Sequence, residues 1–452
     1  MRLALFLGLS ITAGCLEVDP YACQSATNCF DHTRQGYCIP SSLGPSYCAY
    51  DDQICPSHRR WSQAAAASLA GQCVAELLDA GIPDHSIVDM TVSQIDSAQT
   101  DSSMDLSVPQ LKPVNFAVSV NYKSHTAPND LDIGDFNGDT KLDLVTANFS
   151  SDDVSVLLGV GNGTFQMAIN TAASSGPVAV RRGDFNFDGK ADVVVANMSQ
   201  DQLHILFGNN DGTFQNIKWI QSGKGPCSLA VADVNGDQKD DALATNCNEN
   251  TVQFDLNPFL AGAAIDTGGM SPRSVAVGDF NGDTFLDLAA AVFQANNAAV
   301  IFGNGGGLFQ GLMTFATGTG PASVVVGDFN MDSKLDLAVA DFTGNDVSIL
   351  LGTGTGNFQA AVKYQNGPNP NGIVAADFNG DGWVDLATSN LTGNNVGVLL
   401  GNGDGTFQTA RKFAASTSPQ AITVGDLNGD KKPDLAVACG DGNVSVLLNT
   451  SP

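Results

Sequence analysis

Positive charge is scarce in this chain. Its 452 residues hold 20 Lys and Arg against 47 Asp and Glu, a formal charge of −27. A surface so acidic repels nucleic acid and anionic membrane, which excludes recognition through a basic groove. Histidine is equally sparse: His32, His58, His85, His125 and His204 are scattered. No H-E-x-x-H, G-x-S-x-G or C-x-x-C string occurs, so the common zinc and serine-nucleophile signatures are missing. Tryptophan is limited to 3 residues, few for stacking on sugar rings. Past the first residues no run reaches the roughly 18 uninterrupted apolar residues of a membrane helix. Between 114 and 450 no stretch carries a helical period.

What is present begins with an export signal over 1–14. Met1 and Arg2 make a minimal basic start, and Leu3–Ile11 is an apolar run too short to span a bilayer. Thr12, Ala13, Gly14 and Cys15 follow. They resemble a bacterial lipoprotein signal, although Thr12 stands where leucine is usual, and the resemblance implies lipidation of Cys15. Plain secretion is the alternative. Cys23, Cys29, Cys38, Cys48, Cys55 and Cys73 crowd the next segment. In an oxidising compartment they read as a small disulfide module over 15–73, with connectivity open. Residues 74–113 read as a linker, with a short helical pattern at Val74–Ala80 and a polar, acidic stretch at Ser93–Asp105.

The remaining three quarters of the chain, 114–452, is a repeat. The string D-x-N-x-D-x-x-x-D starts at Asp135, Asp184, Asp233, Asp279, Asp328, Asp377 and Asp426, at intervals of 49, 49, 46, 49, 49 and 49 residues. A proline precedes each first Asp by seven residues, from Pro128 to Pro419. Five repeats place a phenylalanine thirty residues after it: Phe165, Phe214, Phe309, Phe358 and Phe407. Four short β-branched runs bounded by Gly, Asn and Asp fit into each period, the pattern of a propeller blade. The last repeat stops after its third run, while Phe116–Val120 has the phase of a fourth run without a blade, since Phe116 precedes Asp135 by nineteen residues as Phe165 precedes Asp184. The fold expected is an all-β, seven-bladed β-propeller closed by that N-terminal strand, which removes the exposed sheet edges.

Alternate side chains of a tight loop point inward, so positions one, three and five of the acidic string can converge on one hard cation, completed by a carbonyl at seven and a carboxylate at nine. The expected calcium ligands are Asp135, Asn137, Asp139, Lys141 and Asp143 in the first loop; Asp184, Asn186, Asp188, Lys190 and Asp192 in the second; Asp233, Asn235, Asp237, Lys239 and Asp241 in the third; and Asp279, Asn281, Asp283, Phe285 and Asp287 in the fourth. Asp328, Asn330, Asp332, Lys334 and Asp336 follow in the fifth, Asp377, Asn379, Asp381, Trp383 and Asp385 in the sixth, and Asp426, Asn428, Asp430, Lys432 and Asp434 in the seventh. The seventh position enters through its carbonyl, which fits its variation. Seven loops with three carboxylates each hold 21 of the 47 acids. Up to seven structural calcium ions are expected, and no catalytic residues.

These strings, such as G-D-F-N-G-D-T-K-L-D-L at 134–144, together with turns such as G-N-G-D-G-T-F at 401–407, closely resemble the FG-GAP/VCBS repeat family, the blade type of integrin α-subunit propellers. The resemblance implies a calcium-binding recognition or adhesion scaffold at the cell surface for protein or glycan partners. A calcium-dependent lectin is the alternative, and a polysaccharide-active enzyme the weakest reading. Blade 3 departs from the pattern: it is three residues shorter and reads N-P-F-L-A-G-A-A at 257–264 in place of a G-N-G turn. Cys227 and Cys247 lie symmetrically about its acidic loop, so a hairpin sets them face to face for a disulfide. Cys439 has no partner in phase and is expected to be a buried thiol.

Overall fold

The structure, a computed structural model, describes residues 112–256 and 260–452, together with four short strands among residues 30–49. Met1–Leu106 and Ser107–Pro452 are separate compact units. In the first unit Phe30–Asp31 pairs with Arg34–Gln35 and Tyr37–Ser41 with Gly44–Ala49, which sets Cys38 opposite Cys48 in register. The signal segment, Cys15, the helical pattern at 74–80 and most of the linker lie outside the described residues.

The second unit is a ring of seven four-stranded antiparallel sheets. Blade 1 comprises Pro128–Gly134, Asp143–Asn148, Asp153–Leu157 and Ile169–Ala172. Blade 2 comprises Pro177–Gly183, Asp192–Asn197, Gln202–Gly208 and Phe214–Gln221, and blade 3 Pro226–Ala232, Asp241–Asn246, Thr251–Leu256 and Leu260–Asp266. Blade 4 runs through Pro272–Gly278, Asp287–Val292, Asn297–Gly303 and Phe309–Ala316, and blade 5 through Pro321–Gly327, Asp336–Asp341, Asp346–Leu350 and Val362–Gln365. Blade 6 uses Pro370–Ala376, Asp385–Asn390, Asn395–Leu399 and Arg411–Ala414. Blade 7 uses Pro419–Gly425, Asp434–Cys439, Asn443–Leu447 and, as its fourth strand, Val120–Lys123. The first strands touch one another around the ring, blade 7 against blade 1 included.

The closing strand therefore comes from the N-terminal side, but further along than the phase of Phe116 suggests. Phe116 makes only an isolated bridge to Asn449, and the ladder begins at Val120. The offset has a local cause found in other blades. Phe165, Phe358 and Phe407 make the same single bridge to Gly159, Gly352 and Gly401, and their fourth strands begin four residues later. The tight Gly-rich turn uses up the intervening backbone. Only blades 2 and 4 start strand four at the phenylalanine itself.

Each first strand opens on its proline, which has no N–H to give a ladder and is tolerated at a strand start. A bulge follows directly in all seven, as between Pro128 and Asp130. Second strands are buried on both faces, so their interiors read as small apolar runs such as 337–340. The core lies between blades. Val145, Ala147, Val154 and Val156 of blade 1 pack on Val180, Val193 and Val195 of blade 2, and equivalent clusters recur around the ring. At the acidic-loop end, the residue after each first Asp is inserted between blades: Phe136, Phe280 and Phe329 meet Phe214, Phe358 and Phe407 of the next blade edge-on, with centroids 6.0, 5.7 and 5.8 Å apart. Phe116 meets Phe378 in the same way at 5.9 Å and so supplies blade 7's turn phenylalanine. Each such pair contributes about 0.5–1.5 kcal/mol beyond its buried area.

Candidate metal loops

All seven acidic loops wind identically. The fourth and sixth positions take left-handed backbone, as at Gly138 (φ 77°) and Thr140 (φ 67°). That winding turns successive N–H groups toward the first side chain. In blade 1 the Asp135 carboxylate accepts from the N–H groups of Gly138 (2.7 Å), Asp139 (3.1 Å) and Thr140 (2.7 Å). The Asp139 N–H is shared with the Asn137 side-chain oxygen at 2.9 Å, which brings the oxygens of positions one and three together. The same shared donor occurs at Asp188, Asp237, Asp283, Asp332, Asp381 and Asp430. Position five accepts in turn from the N–H of position seven: Lys141 to Asp139 at 3.0 Å, Phe285 to Asp283 at 2.9 Å, Trp383 to Asp381 at 2.9 Å. Asp184, Asp233, Asp279, Asp328, Asp377 and Asp426 hold their loops as Asp135 does.

Two features of these loops go beyond the sequence reading. First, the position-seven lysines do more than offer a carbonyl. The ammonium groups of Lys141, Lys190 and Lys334 lie 3.0, 3.1 and 3.2 Å from Asp139, Asp188 and Asp332. Second, the ninth-position acids are buried and tie the loop to the neighbouring turn, while staying within reach of the loop's other ligands: the Asn235 amide at position three donates to Asp241 at position nine at 3.4 Å. Asp143, Asp192, Asp241, Asp287, Asp336, Asp385 and Asp434 are fully buried. One oxygen of Asp143 accepts the Phe136 N–H at 2.8 Å and the other the Gly159 N–H at 2.7 Å, bracing the one–two loop against the three–four turn. Asp192, Asp287, Asp336 and Asp385 repeat both contacts, and Asp434 uses Leu427 and Asn449. Burial pushes the carboxyls of Asp143, Asp192, Asp287, Asp336 and Asp434 up to about 6 and Asp385 up to about 7, against the pull of those N–H donors; the acids at positions five and one push the same way.

Among the described residues no three His, Cys, Asp or Glu side chains form a group that could hold a metal. What each loop assembles is two carboxylates and an amide oxygen, all hard donors. That chemistry fits an oxygen-seeking cation at positions one, three and five, and a carboxylate that accepts N–H groups keeps further lone pairs.

The opposite face carries the two–three loops and the four–one connections. There Cys227 and Cys247 are joined, with Cα atoms 5.9 Å apart, across the bulge that follows Pro226. Cys439 is a free, buried thiol. His204 is buried and opposite Trp219, with its Nε2 3.1 Å from Gln202, and burial lowers its pKa. The Gly-rich string at 352–356 leads through its bridge to a strand and is a turn.

The architecture defines the class: a closed seven-bladed propeller with one Asx-wound acidic loop per blade. The FG-GAP-like repeat matches residues 135–195, 184–244, 279–339, 328–388 and 377–437, more than half of the chain, and the protein belongs to that family. No match begins at the atypical blade 3 loop. No curated protein matches the chain. Among solved structures, BBS1N in complex with ARL6DN is similar in its mercury- and lead-soaked crystals, with TM-scores of 0.54 and 0.51, 12% identity, and 74% of this chain and 96% of that one covered. A lectin of Agrocybe aegerita, described as recognising non-reducing terminal N-acetylglucosamine, has TM-score 0.46 and 19% identity over 70% of this chain and 87% of its own. At these identities the likeness speaks to the fold alone.

Proposed function

We propose that this protein is an exported, non-catalytic recognition scaffold of the cell surface, stiffened by calcium and carrying its protein or glycan partner on loops of the ring. The observation that supports the calcium most directly is the sevenfold repetition of one oxygen-presenting loop, with positions one and three drawn onto a single N–H in every blade. Calcium, when bound, supplies charge neutralisation and ties strand one to strand two. The chain's own residues do the rest: positions one, three, five and nine hold the cation together with the seventh carbonyl, and the ninth-position acid also braces the loop through the N–H groups it accepts. Asn and Asp side chains on the two–three loops suit a polar partner, and a rigid ring holding variable loops is the usual arrangement for recognition. The test is thermal unfolding of the full chain in calcium, in magnesium and in chelator. A site held at a hundred times its dissociation constant adds about 2.7 kcal/mol, so chelation should lower the melting temperature steeply and calcium alone should restore it. Equal melting in all three buffers refutes the calcium reading.

The lectin reading has one observation in its favour. A cleft of about 340 Å³ opens between the closing strand of blade 7 and blade 1, with Tyr122, Phe165, Asn121, Gln166 and Asn170 among its lining residues. Glycan-array binding of the folded chain with and without calcium separates the readings. Calcium-dependent capture of a defined sugar class selects the lectin, and silence from folded protein leaves the protein-binding scaffold.

A further inference from the structure

In each blade the last residue of strand two faces the first residue of strand three across the hairpin, at the end opposite the acidic loops. Blade 1 pairs Asn148 with Asp153, and the amide donates to the carboxylate at 2.9 Å. Blade 3 pairs Asn246 with Thr251 at 3.0 Å, and blade 6 pairs Asn390 with Asn395 at 2.8 Å. Blade 5 instead pairs Asp341 with Asp346. Neither residue has an N–H to offer the other. Asp341 is fully buried and Asp346 is 8% exposed, and Oδ1 of each is buried without a hydrogen-bond partner. The other oxygen of Asp341 accepts from Ser348 Oγ at 2.6 Å, and Ser348 in turn accepts from the Gly318 N–H at 2.9 Å.

Two ionised carboxylates cannot remain face to face in such a site, because each is desolvated and repels the other. One ion or one proton must stand between them. A calcium ion needs six or more oxygens. The space here is instead closed by glycine backbone: a Cβ placed on Gly318 would fall 2.7 Å from Asp346 Oδ1, and one on Gly344 would fall 2.6 Å from it. We propose that Asp341 and Asp346 share one proton, which makes the two–three loop of blade 5 a pH-responsive element on the face opposite the acidic loops. A protonated carboxyl then does what the Asn148 amide does in blade 1, donating to the carboxylate across the hairpin.

The surroundings offer nothing that would neutralise the pair otherwise. Gln365 and Lys363 stand opposite Asp346 and Ser348 on strand four, and Lys363 is exposed. The four–one connection contributes Thr317 and Gly318. Blade 4 packs against this face of blade 5 with apolar side chains, Ala289, Ala291, Ala298, Val300 and Phe315. In keeping with this, burial first and the Asp346 charge after it raise the Asp341 carboxyl to about 7.

The sign follows from the protonated pair being favoured only in the closed blade. The contribution is full below the ordinary carboxylate range, is lost as pH rises toward about 7, and levels off above it. Hydrogen exchange of the full chain, corrected for the intrinsic rate, reads this directly. Protection of the 341–346 backbone should fall about tenfold per pH unit between roughly pH 5 and 7 and then level, as one proton per opening requires. In Asp341→Asn the new amide donates to Asp346 while its oxygen still accepts from Ser348, so protection should become independent of pH. Equal pH slopes in wild type and Asp341→Asn, or a flat wild type, overturn the proposal. Should the variant not fold, the wild-type chain carries its own control. A slope at 341–346 that is absent at 390–395, where two amides without a titratable group fill the role, supports the shared proton, and the same slope in both segments refutes it.

Discussion

Breaking the Cys227–Cys247 link tests what holds the irregular blade 3 together. The bond closes a loop of sequence separation 20 across strands one and two. In the chain-entropy account, a cross-link over about 20 residues removes about 11 cal/mol/K from the unfolded chain, or about 3 kcal/mol at 25 °C. For a ring of about 340 residues that unfolds as a unit, with about 2.1 cal/mol/K of unfolding entropy per residue, this corresponds to about 5 °C of melting temperature. Other blades show that the site does not need sulfur. The same two positions hold Val178 and Met198 in blade 2, Ala322 and Phe342 in blade 5, and in blade 4 Arg273 stacked over Phe293 at 3.5 Å. The double variant C227V/C247M therefore keeps an apolar contact while removing the cross-link. Calorimetry of the full chain in calcium should give melting temperatures in the order oxidised wild type, then C227V/C247M, with reduced wild type lower still or equal. Exchange should accelerate first in Pro226–Ala232 and Asp241–Asn246. If C227V/C247M melts with the oxidised protein and reduction shifts nothing, the cross-link contributes no stability and the entropic reasoning fails here.

Two further outcomes follow from particular backbone and side-chain environments. Met331 occupies the fourth position of its loop at φ 61°, where five of the seven loops have glycine, so Met331→Gly should stabilise the fold by about 1 kcal/mol in denaturant titration; a loss of stability would mean that the exposed methionine makes contacts worth more than its backbone strain. Burial pushes the Cys439 thiol up to about 11, so a thiol reagent at neutral pH should label it only as fast as the ring unfolds globally, and rapid labelling of the folded protein would show that strand two of blade 7 opens locally.

The ring was legible because each copy of the repeat checks the phase of the others. A seven-residue offset from proline to aspartate, kept through seven copies, fixes four strands per blade, and the leftover N-terminal run then has one place to go. Phase alone misplaces that run by four residues, because a phenylalanine marks where the turn closes and not where the ladder starts. In the acidic loops, residue types and spacing disclose positions one, three and five, whose oxygens must follow the loop's winding. The ninth-position acid looks the same in sequence, and what spacing does not disclose is its second role: at the start of a doubly buried strand it accepts N–H groups from the loop and the neighbouring turn and braces one against the other. Asp341 and Asp346 were the least visible. In a chain with 47 acids, two more in a polar two–three loop read as solvent-facing turn residues. Their difference from Asn148 and Asp153 is one amide nitrogen replaced by one oxygen. What that replacement means depends on two facts no local pattern carries: the hairpin register that opposes the two residues, and the blade packing that keeps water from both.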